Sequence, residues 1–347
     1  MGERDDAPRA TRVTLRQVAA NAGVSPATVS KVLNMHDDVS AATRARVRQA
    51  VETLGYRPRT SHRPEASPVI EVKMDRFYPV HEAAVLDSIV RTAEELDVDL
   101  QVSRIASQDA SGRPLSARAW VRRMRRSGSA GLIVLAAELD ASQVAALARE
   151  RIPVVAIDPM EGTSGTPSVT GTNWAGGYAA AEHLIALGHR EIGVIGGRPE
   201  SVAAVTRMHG ARAACQAAGL TLQDERVELA GFGHDAGVAV AQRWFADGIG
   251  VTGIVTGNDT QAMGVIEVAR QHGLRVPEDL SVVGYDDTYL ASWSTPPLTT
   301  IRQPLAEIGR VALKNVLALA EGRAPDATHV ELATELVVRG STAPPKP

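Results

Sequence analysis

The chain has 347 residues, of which 44% are hydrophobic and 22% are charged, as in an ordinary globular protein. No apolar run reaches the ~18 residues that a membrane span requires, which excludes an integral membrane protein of the helical type. The N-terminal segment MGERDDAPRA is charged and lacks the apolar core of a signal peptide, so we expect a cytoplasmic protein.

Charge is unevenly distributed along the chain. Residues 1–63 contain 11 arginines and lysines against 6 aspartates and glutamates, a net charge of +5, whereas the remaining residues have a net charge of −8. A small basic segment joined to a larger acidic one suggests that the basic segment meets a polyanion such as nucleic acid. A solvated basic face with no ligand is the alternative interpretation.

The N-terminal part of the chain is predicted to be helical. After twelve polar residues, which we expect to be disordered, the sequence predicts helices at about 15–22, 26–33 and 41–54. Thr14, Ser25 and Ser40 are their predicted N-caps, since a side-chain oxygen at this position accepts a bond from an unpaired backbone N–H. Gly23 ends the first helix, because glycine tolerates a positive φ, and Gly55 ends the third.

The segment VTLRQVAANAGVSPATVSKVLN has the spacing of a helix-turn-helix. Its first two helices are predicted to pack through small apolar residues, namely Val18, Ala19, Val24, Val29 and Leu33. The second helix then presents another set outward: Pro26, Ala27, Thr28, Ser30 and Lys31. A recognition helix reads base edges in the major groove mainly with its N-terminal residues. The spacing therefore favours DNA binding, and a small helical bundle without a ligand is the alternative.

From residue 69 onward, apolar strands alternate with amphipathic helices, which predicts parallel sheets covered by helices on both faces. Two such runs, interrupted near residue 160, predict two Rossmann-like lobes, and the segment 286–340 is long enough to cross back between them. We divide the chain into a disordered N-terminus (1–12), a helix-turn-helix head (13–58), a linker (59–68), a two-lobed effector-binding and dimerisation body (69–340) and a tail (341–347).

Polar residues follow several predicted strands of the body. Asp158 follows PVVAI, Asn258 and Asp259 follow GIVTG, and Asp286 follows SVVGY. Open parallel sheets bind ligands beyond the carboxyl ends of their strands, and planar polar groups such as these can hold the paired hydroxyl groups of a sugar. For Asn258 and Asp259 the alternative is helix capping.

Further candidates complete the predicted ligand site. Arg207 can form charge-assisted hydrogen bonds to oxygen, and Phe232 can cover an apolar sugar face. Additional candidates are Asp75, Arg76 and Tyr78, which follow the first strand, and Gln303 in the crossing segment. For Tyr78 and Phe232, simple packing is an equally good interpretation.

The segments quoted above resemble the lactose-repressor (LacI/GalR) family. The resemblance of the head lies in VTLRQVA, AGVSPATVSKVLN, VSAATRARV and LGYRP, and that of the body in RMHGARAA, GIVTGNDTQAMGVIEVARQHGLRVPEDLSVVGYDD and PPLTTIRQPLAEIG. It covers residues 13–340. It implies an all-α helix-turn-helix head and an α/β, two-lobed, periplasmic-binding-protein-like effector domain. The function implied is that of a dimeric or tetrameric repressor that clamps a small effector, often a sugar, between its lobes.

The resemblance also suggests roles for individual residues. Pro26, Ala27 and Lys31 occupy positions where the family reads bases, which leaves Lys31 as the main polar reader. The complete set of predicted DNA-binding residues is Thr14, Ser25, Pro26, Ala27, Thr28, Ser30, Lys31, Asn34, Tyr56, Arg57 and Arg59. The complete set of predicted effector-binding residues is Asp75, Tyr78, Asp158, Arg207, Phe232, Asn258, Asp286 and Gln303.

The linker departs from the family pattern. Many members carry a hinge helix here, with a leucine that wedges into the minor groove. This chain instead has Glu65 at the wedge position, preceded by Pro64. A proline disfavours helical geometry in the residue before it, and a wedge must be apolar to enter between stacked bases. The sequence therefore predicts no hinge helix and little kinking of the operator.

An enzyme is disfavoured because no G-x-G-x-x-G links a predicted strand to a following helix, and the glycine-rich GVIGGRPES (193–201) does not fit that motif. The sequence also contains no Walker loop, no H-E-x-x-H and no G-x-S-x-G, and we expect neither a metal nor a cofactor. A sugar carrier of the transport type, whose two-lobed fold the body resembles, is the alternative, but it does not account for the helix-turn-helix head.

Overall fold

The computed structural model describes residues 13–33, 39–54, 56, 67–74, 80–105, 116–160 and 165–346. Two compact units divide the chain, Met1–Ser67 and Pro68–Pro347. Several predictions fall outside the described residues: the disordered N-terminus, Gly55, the departure at Pro64 and Glu65, and the candidates Asn34, Arg57, Arg59, Asp75, Arg76 and Tyr78. Among the helices of the described residues, none is both long and apolar enough to cross a membrane.

Three helices form the head, α1 (Leu15–Ala22), α2 (Pro26–Leu33) and α3 (Ala41–Leu54). The Thr14 hydroxyl accepts a hydrogen bond from Gln17 N at 3.4 Å, and the Gln17 side chain accepts one from Thr14 N at 2.7 Å. This reciprocal pair is a capping box. The Ser25 hydroxyl caps α2 by accepting from Thr28 N at 3.1 Å. The Ser40 hydroxyl caps α3 by accepting from Thr43 N at 3.3 Å, so all three predicted caps are present.

An arginine from α3 holds the turn between α1 and α2. Gly23 has a φ of 63°, in the left-handed region that favours glycine. Arg46 Nη2 donates to Ala22 O at 2.9 Å and to Gly23 O at 3.1 Å. The last carbonyl groups of a helix have no partner within it, and the guanidinium supplies one. The sequence predicted the turn but not the contribution of Arg46.

The head core is made of small apolar side chains, as predicted. Val18 and Ala19 of α1 and Val29 of α2 are buried, and Val24 is half-buried against them. Val47, on α3, completes the packing. Small residues allow the helices to cross closely, which keeps the exposed face of α2 in a fixed position relative to the turn.

In the body, the N-terminal lobe is built on the strands β1 (Val69–Met74), β2 (Asp99–Arg104), β3 (Ser129–Leu135), β4 (Val154–Ile157), β5 (Ser168–Gly171) and β11 (His329–Leu332). Their order is β11-β5-β4-β3-β1-β2, and all neighbours are parallel. One face packs on α4 (Val80–Glu95) and α12 (Leu305–Ala320), and the other on α5 (Ala117–Ser127) and α6 (Ala141–Arg149).

The C-terminal lobe is built on the strands β6 (Ile192–Gly196), β7 (Val227–Leu229), β8 (Gly253–Thr256), β9 (Ser281–Asp286), β10 (Thr299–Arg302) and β12 (Glu335–Val337). Their order is β12-β10-β9-β8-β6-β7, and only the β10–β12 pair of this sheet is antiparallel among the described strands. One face carries α7 (Asn173–Ala186) and α8 (Val202–Ala217). The other carries α9 (His234–Ala246), α10 (Asp259–Gln271) and α11 (Tyr289–Trp293).

Within the described residues, the chain passes between the two lobes three times, after β5, after β10 and between β11 and β12. The hydroxyl groups of Thr172 and Thr334 lie 2.9 Å apart, and Thr334 N donates to the Thr172 hydroxyl at 3.0 Å. The crossing after β10 lies close by, since a Cβ added at Gly171 would lie 2.5 Å from Gln303 Oε1. As predicted, the segment 286–340 crosses back, and it does so twice.

The segment 341–346, which the sequence separates as a tail, packs against the C-terminal lobe. Ser341 is fully buried, and its hydroxyl accepts a hydrogen bond from Thr299 N at 2.8 Å. Val282 N donates to Ser341 O at 2.9 Å, and His189 Nε2 lies 2.9 Å from Ala343 O. The segment follows the C-terminal lobe because its backbone pairs with groups near β9 and β10. Sequence periodicity does not detect such pairing.

Candidate functional site

The carboxyl ends of the parallel strands in the two lobes bring several predicted residues into one buried cluster. Asp158 follows β4 in the N-terminal lobe, and Asp286 ends β9 in the C-terminal lobe. Both are buried, and both have positive φ values, 47° and 103°. A non-glycine residue in this region is strained, and such strain is often found at functional sites.

Arg207, on α8, is the centre of the C-terminal half of the cluster. Its Nε donates to Asn173 Oδ1 and its Nη1 to Gly257 O, both at 2.7 Å. Nη1 also lies 3.8 Å from Asp286 Oδ1, and the guanidinium carbon lies 3.7 Å from the centre of the Tyr285 ring. One buried guanidinium thus joins α7, the end of β8 and the end of β9.

Glycines allow α8 to approach α7 closely enough to place Arg207 there. A Cβ added at Gly177 would lie 2.0 Å from Arg207 O, and one added at Gly210 would lie 2.1 Å from Trp174 O. Real side chains do not tolerate such distances, so the two helices are in backbone contact at both positions. The arginine is therefore positioned by helix packing as well as by its hydrogen bonds.

Asp286 is held from the crossing segment as well. Gln303 Nε2 donates to Asp286 Oδ1 at 2.8 Å. Burial raises the pKa of Asp286, and the positive charges of His81 and Arg207 together with the bond from Gln303 oppose this rise only in part. Asp259, also buried, has a pKa raised to about 7 by burial and by the charge of Asp286. Negative charge at this position is costly, which favours hydrogen-bond donors from a ligand.

Asp158 holds the N-terminal half of the cluster. Thr170 Oγ1 donates to Asp158 Oδ1 at 2.5 Å, and Asn173 Nδ2 donates to Thr170 Oγ1 at 2.8 Å. Burial would raise the pKa of Asp158, but the close contact with His81 and the charges of His81 and Arg207 outweigh it, and the pKa is lowered. The bonds run from the N-terminal lobe through Asn173 to Arg207 in the other lobe.

We name this set the cleft cluster; its members are His81, Asp158, Thr170, Asn173, Arg207, Asp286 and Gln303. An open recess of about 460 Å³ lies beside Asp286 and Gln303 and is bounded on its other side by Leu305 and Arg310 of α12; His81, Asp158 and Arg207 do not line it. The cluster combines carboxylates, a guanidinium and amides, which together can donate to and accept from a polyhydroxylated molecule.

Two predicted effector residues have other contacts in the structure. Asn258 caps α10, because its Oδ1 accepts from Gln261 N at 2.8 Å and its Nδ2 donates to Phe232 O at 3.0 Å. The capping alternative therefore accounts for both ends of this amide. The Phe232 ring packs on Gly197, where an added Cβ would lie 2.2 Å from the ring, and lies 6.0 Å from the Arg207 guanidinium. Contact of either residue with an effector stays a prediction.

The candidate DNA-reading surface of the head is the outer face of α2. Pro26, Ala27 and Lys31 are exposed, and Thr28 and Ser30 are half-buried. The Ser25 hydroxyl, besides capping α2, lies 2.9 Å from the Thr28 hydroxyl. Tyr56 packs against the head core and is half-buried, so its ring has a structural role whether or not its hydroxyl meets DNA.

Among the residues that the structure describes, no three histidine, cysteine, aspartate or glutamate side chains are arranged to hold a metal ion.

Two family models match the chain. One is described as bacterial regulatory proteins, lacI family, and matches residues 14–59; the other is a periplasmic binding protein-like domain and matches residues 181–342. Among curated relatives, the HTH-type transcriptional repressor PurR of Photobacterium profundum is 30% identical, with 94% of this chain and 98% of the repressor covered. PurR of Klebsiella pneumoniae is 32% identical, with coverage of 95% and 97%.

This chain belongs to the lacI family of bacterial regulatory proteins. The fold class and the family that the sequence predicted are confirmed, and the chain is a DNA-binding transcriptional regulator with an effector domain. A crystal structure of the lac repressor dimer bound to operator and the anti-inducer ONPF is 29% identical, with 96% of this chain and all of that chain covered at a TM-score of 0.76. A complex of the transcriptional regulator CelR with cellobiose is 28% identical, with coverage of 95% and 100% at a TM-score of 0.70.

Sequence reasoning missed three members of the cleft cluster in this lacI-family regulator. Thr170 and Asn173 flank the first crossing, and their spacing within SVTGTNW carries no motif that separates a site residue from a turn residue. His81 lies in the first turn of α4, where a histidine is usually solvated. Strand-end position predicted Asp158 and Asp286. Thr170 lies near the carboxyl end of β5 and Asn173 follows that strand, but the sequence did not predict this short strand, and His81 comes from a helix.

Proposed function

We propose that this regulator represses transcription from a palindromic operator, and that a sugar bound between its lobes controls its affinity for the operator. The observation that carries the effector part is the cleft cluster, in which Asp158 of one lobe and Arg207 and Asp286 of the other are buried together. A ligand that binds all three of these side chains is in contact with both lobes at once. Its binding energy is then available to favour one arrangement of the lobes over another.

A sugar suits this cluster better than an anion does. Two carboxylates accept hydrogen bonds from hydroxyl groups, and one guanidinium donates to hydroxyl oxygens, so both roles of a hydroxyl group are met. The carboxylates would repel an anionic ligand. The CelR complex with cellobiose, which is similar over most of the chain, supports a carbohydrate as the class of effector.

The operator part is supported by the head. The exposed residues at the start of α2 are suited to the major groove, with Lys31 as the polar reader. The Ser25 hydroxyl and the N-terminus of α2 are suited to a phosphate. The lac repressor dimer bound to operator, which is similar to this chain, supports the same mode of binding.

A palindrome requires a protein with matching two-fold symmetry, so we propose a homodimer, or a tetramer built from dimers. The body carries an exposed aromatic pair, Tyr289 and Trp293 of α11, whose ring centres lie 4.6 Å apart. Large exposed aromatic side chains are typical of the centre of protein interfaces. This pair is a candidate for the contact between two copies of the chain.

The remaining proposals concern class, location and boundaries. We propose that the protein is not an enzyme and acts in the cytoplasm, in keeping with relatives that are transcriptional repressors. The carrier alternative does not account for the head, which the lacI-family model matches. We retain 13–58 as the DNA-binding domain, 59–68 as the linker and 69–340 as the effector-binding and dimerisation domain.

A thermal-shift screen of the full chain against mono- and disaccharides tests the effector part. A ligand at a hundred times its Kd stabilises the folded protein by ~2.7 kcal/mol, which raises the unfolding temperature measurably. We expect a shift with wild type and none with Arg207→Ala. Arg212→Ala, which changes an exposed arginine of the same helix, is the matched control and should keep the shift.

The second readout is an operator gel shift with and without the saccharide that stabilises the protein. We expect the saccharide to change operator affinity in wild type and in Arg212→Ala only. A screen in which no saccharide stabilises the wild type, while a purine or an amino acid does, would retain the two-lobed site and contradict the sugar.

A further inference from the structure

His81 is a charged member of the cleft cluster that the effector proposal does not yet use. It is the second residue of α4, and its side chain is only 11% exposed. Nε2 lies 3.3 Å from Asp158 Oδ2, and Nδ1 lies 3.8 Å from Glu82 Oε2. Both ring nitrogens therefore face carboxylate oxygens.

This arrangement suits an imidazolium rather than a neutral ring. A neutral histidine donates from one nitrogen and presents a lone pair at the other, which would here point at a carboxylate. A protonated ring donates from both nitrogens. Within the described residues, Nε2 of His81 has no aligned hydrogen-bond partner. Its contact with Asp158 Oδ2 at 3.3 Å is therefore an ion pair without a well-formed hydrogen bond. A ligand can replace such a contact more easily than a well-aligned bond.

The charged groups around His81 come from four elements of the described chain. Glu82 lies on its own helix, Asp158 follows β4, Asp286 ends β9, and Arg207 of α8 faces the two aspartates. Burial lowers the pKa of His81, but the charge of Asp286 and the contacts with Asp158 and Glu82 outweigh it and raise the pKa well above 6.5.

The two oxygens of Asp158 have different partners. Oδ1 accepts from Thr170, which belongs to the bonds between the lobes, whereas Oδ2 faces His81. Each carboxylate oxygen can accept about two hydrogen bonds, but Oδ1 is already engaged by Thr170 in the contact between the lobes. A sugar hydroxyl that approaches Asp158 from its other side meets Oδ2, the atom that His81 faces, and weakens the contact between the imidazolium and that oxygen.

We propose that the His81 imidazolium occupies Asp158 Oδ2 when no effector is bound, and that a polyhydroxylated effector replaces it there with release of one proton to solvent. This inference rests on the proposed function, since it takes the effector to be a polyol. It makes His81 a positioning and specificity residue. A ligand bearing an anionic group would instead keep the imidazolium charged and release no proton.

The sign of the pH dependence follows from the direction of release. When the effector takes Oδ2 of Asp158, the ring of His81 loses its close contact with that carboxylate. Less favourable charge then opposes the effect of burial, and the pKa of His81 falls. Binding that releases a proton becomes stronger as pH rises, by up to tenfold per pH unit between the pKa of His81 in the bound state and that in the free state. Below this window, affinity is constant.

Isothermal titration of the full chain with cellobiose at pH 6.0 to 9.0, in two buffers of different ionisation enthalpy, measures this release directly. We expect wild type to bind more tightly as pH rises and to release about one proton. His81→Gln keeps a donor for Asp158 but does not titrate, so its affinity should change less than twofold over the same range. His209→Gln, at an exposed histidine of α8, is the control and should behave as wild type.

Proton uptake, or a release that persists in His81→Gln, would overturn the inference while leaving a carbohydrate effector in place. An NMR titration of the histidine ring signals, without any ligand, separates the two proposals. His81 should titrate above 6.5, and its midpoint should fall in Asp158→Asn. A midpoint at or below 6.5 overturns the present inference. A midpoint above 6.5 in a protein that no mono- or disaccharide of the thermal-shift screen stabilises contradicts the proposed effector instead.

Discussion

In the head, the candidate reading residues Pro26, Ala27 and Lys31 are exposed. The Ser25 hydroxyl that caps their helix accepts a hydrogen bond from Thr28, only three positions away. In the body, Arg207 and Asp286 are buried, and the bonds of Arg207 join residues 34 and 50 positions away. Base reading by the three exposed residues of the head therefore lies on a surface that stability does not need, whereas Ser25 both caps the helix and faces the proposed DNA. Function in the cleft lies within the contacts that hold the lobes together, so stability and binding should change together there.

The largest effect is expected for Arg207→Ala. It removes one of the two cations that face the buried carboxylates, and breaking a buried pair in this way typically costs about 3–5 kcal/mol of unfolding free energy. Saccharide affinity should fall by a further 2–5 kcal/mol, on the order typical for a lost buried charge contact. All four tryptophans lie in the body, so their fluorescence during urea unfolding measures this unit.

Operator binding by Arg207→Ala should persist, because the head is unchanged. Arg207→Lys keeps a point charge that cannot span Asn173, Gly257 and Asp286 together, and it should be intermediate. If Arg207→Ala had the unfolding free energy and the saccharide affinity of wild type, the contrast between buried and exposed functional residues would be contradicted.

The next effect concerns the helix contact that places Arg207. Gly210→Ala adds a methyl group 2.1 Å from Trp174 O, so α8 must shift, and overpacking of this kind costs ~1–3 kcal/mol. Gly250→Ala is the matched control, since its added Cβ would meet nothing within 4 Å and its φ is not positive. Urea unfolding should separate the two variants, and a saccharide titration should be weakened only in Gly210→Ala. Equal stability of both would mean that α7 and α8 can separate without cost.

Lys31→Ala tests the opposite half of the comparison. If Lys31 reads a base, specific operator binding should weaken by ~1–3 kcal/mol. If it contacts a phosphate, the slope of log K against log salt should instead fall by about 0.9. In either case the far-UV circular dichroism of the full chain should be unchanged; this signal includes the helices of the head, which contains no tryptophan. A Lys31→Ala protein with wild-type operator affinity at several salt concentrations would contradict the predicted reading surface.

The smallest effect is expected in the linker, which joins the two regions. Glu65 and Pro64 predict an operator with little central bending. A circular-permutation gel shift measures the bend, and replacement of residues 59–65 by a Gly/Ser segment should leave it unchanged. A sharp bend centred between the half-sites and lost on that replacement would show that a hinge element forms on DNA.

The helix-turn-helix could be predicted because its determinants are close together along the chain. Thr14 and Gln17 form the capping box, Ser25 and Thr28 form the second cap, and Gly23 makes the turn. Each depends on neighbours within a few residues, so propensity and spacing are enough to identify it. Alternation of strands and helices predicted both lobes for the same reason, since each period repeats locally.

The cleft cluster was only half predictable from the sequence. Strand-end position identified Asp158 and Asp286, because the carboxyl ends of parallel strands share one edge. His81, which lies 3.3 Å from Asp158, comes from a helix start 77 positions earlier, and no local rule distinguishes it from a solvated histidine. Asn258 shows the converse, since the same strand-end rule selected a residue whose amide caps α10. The sequence by itself determined the alternating strands and helices of the two lobes, but not the short strands β5, β10, β11 and β12, which flank the crossings between the lobes. Tertiary packing decided which side chains share a buried site, because burial and charge contact depend on distances between residues far apart in the chain.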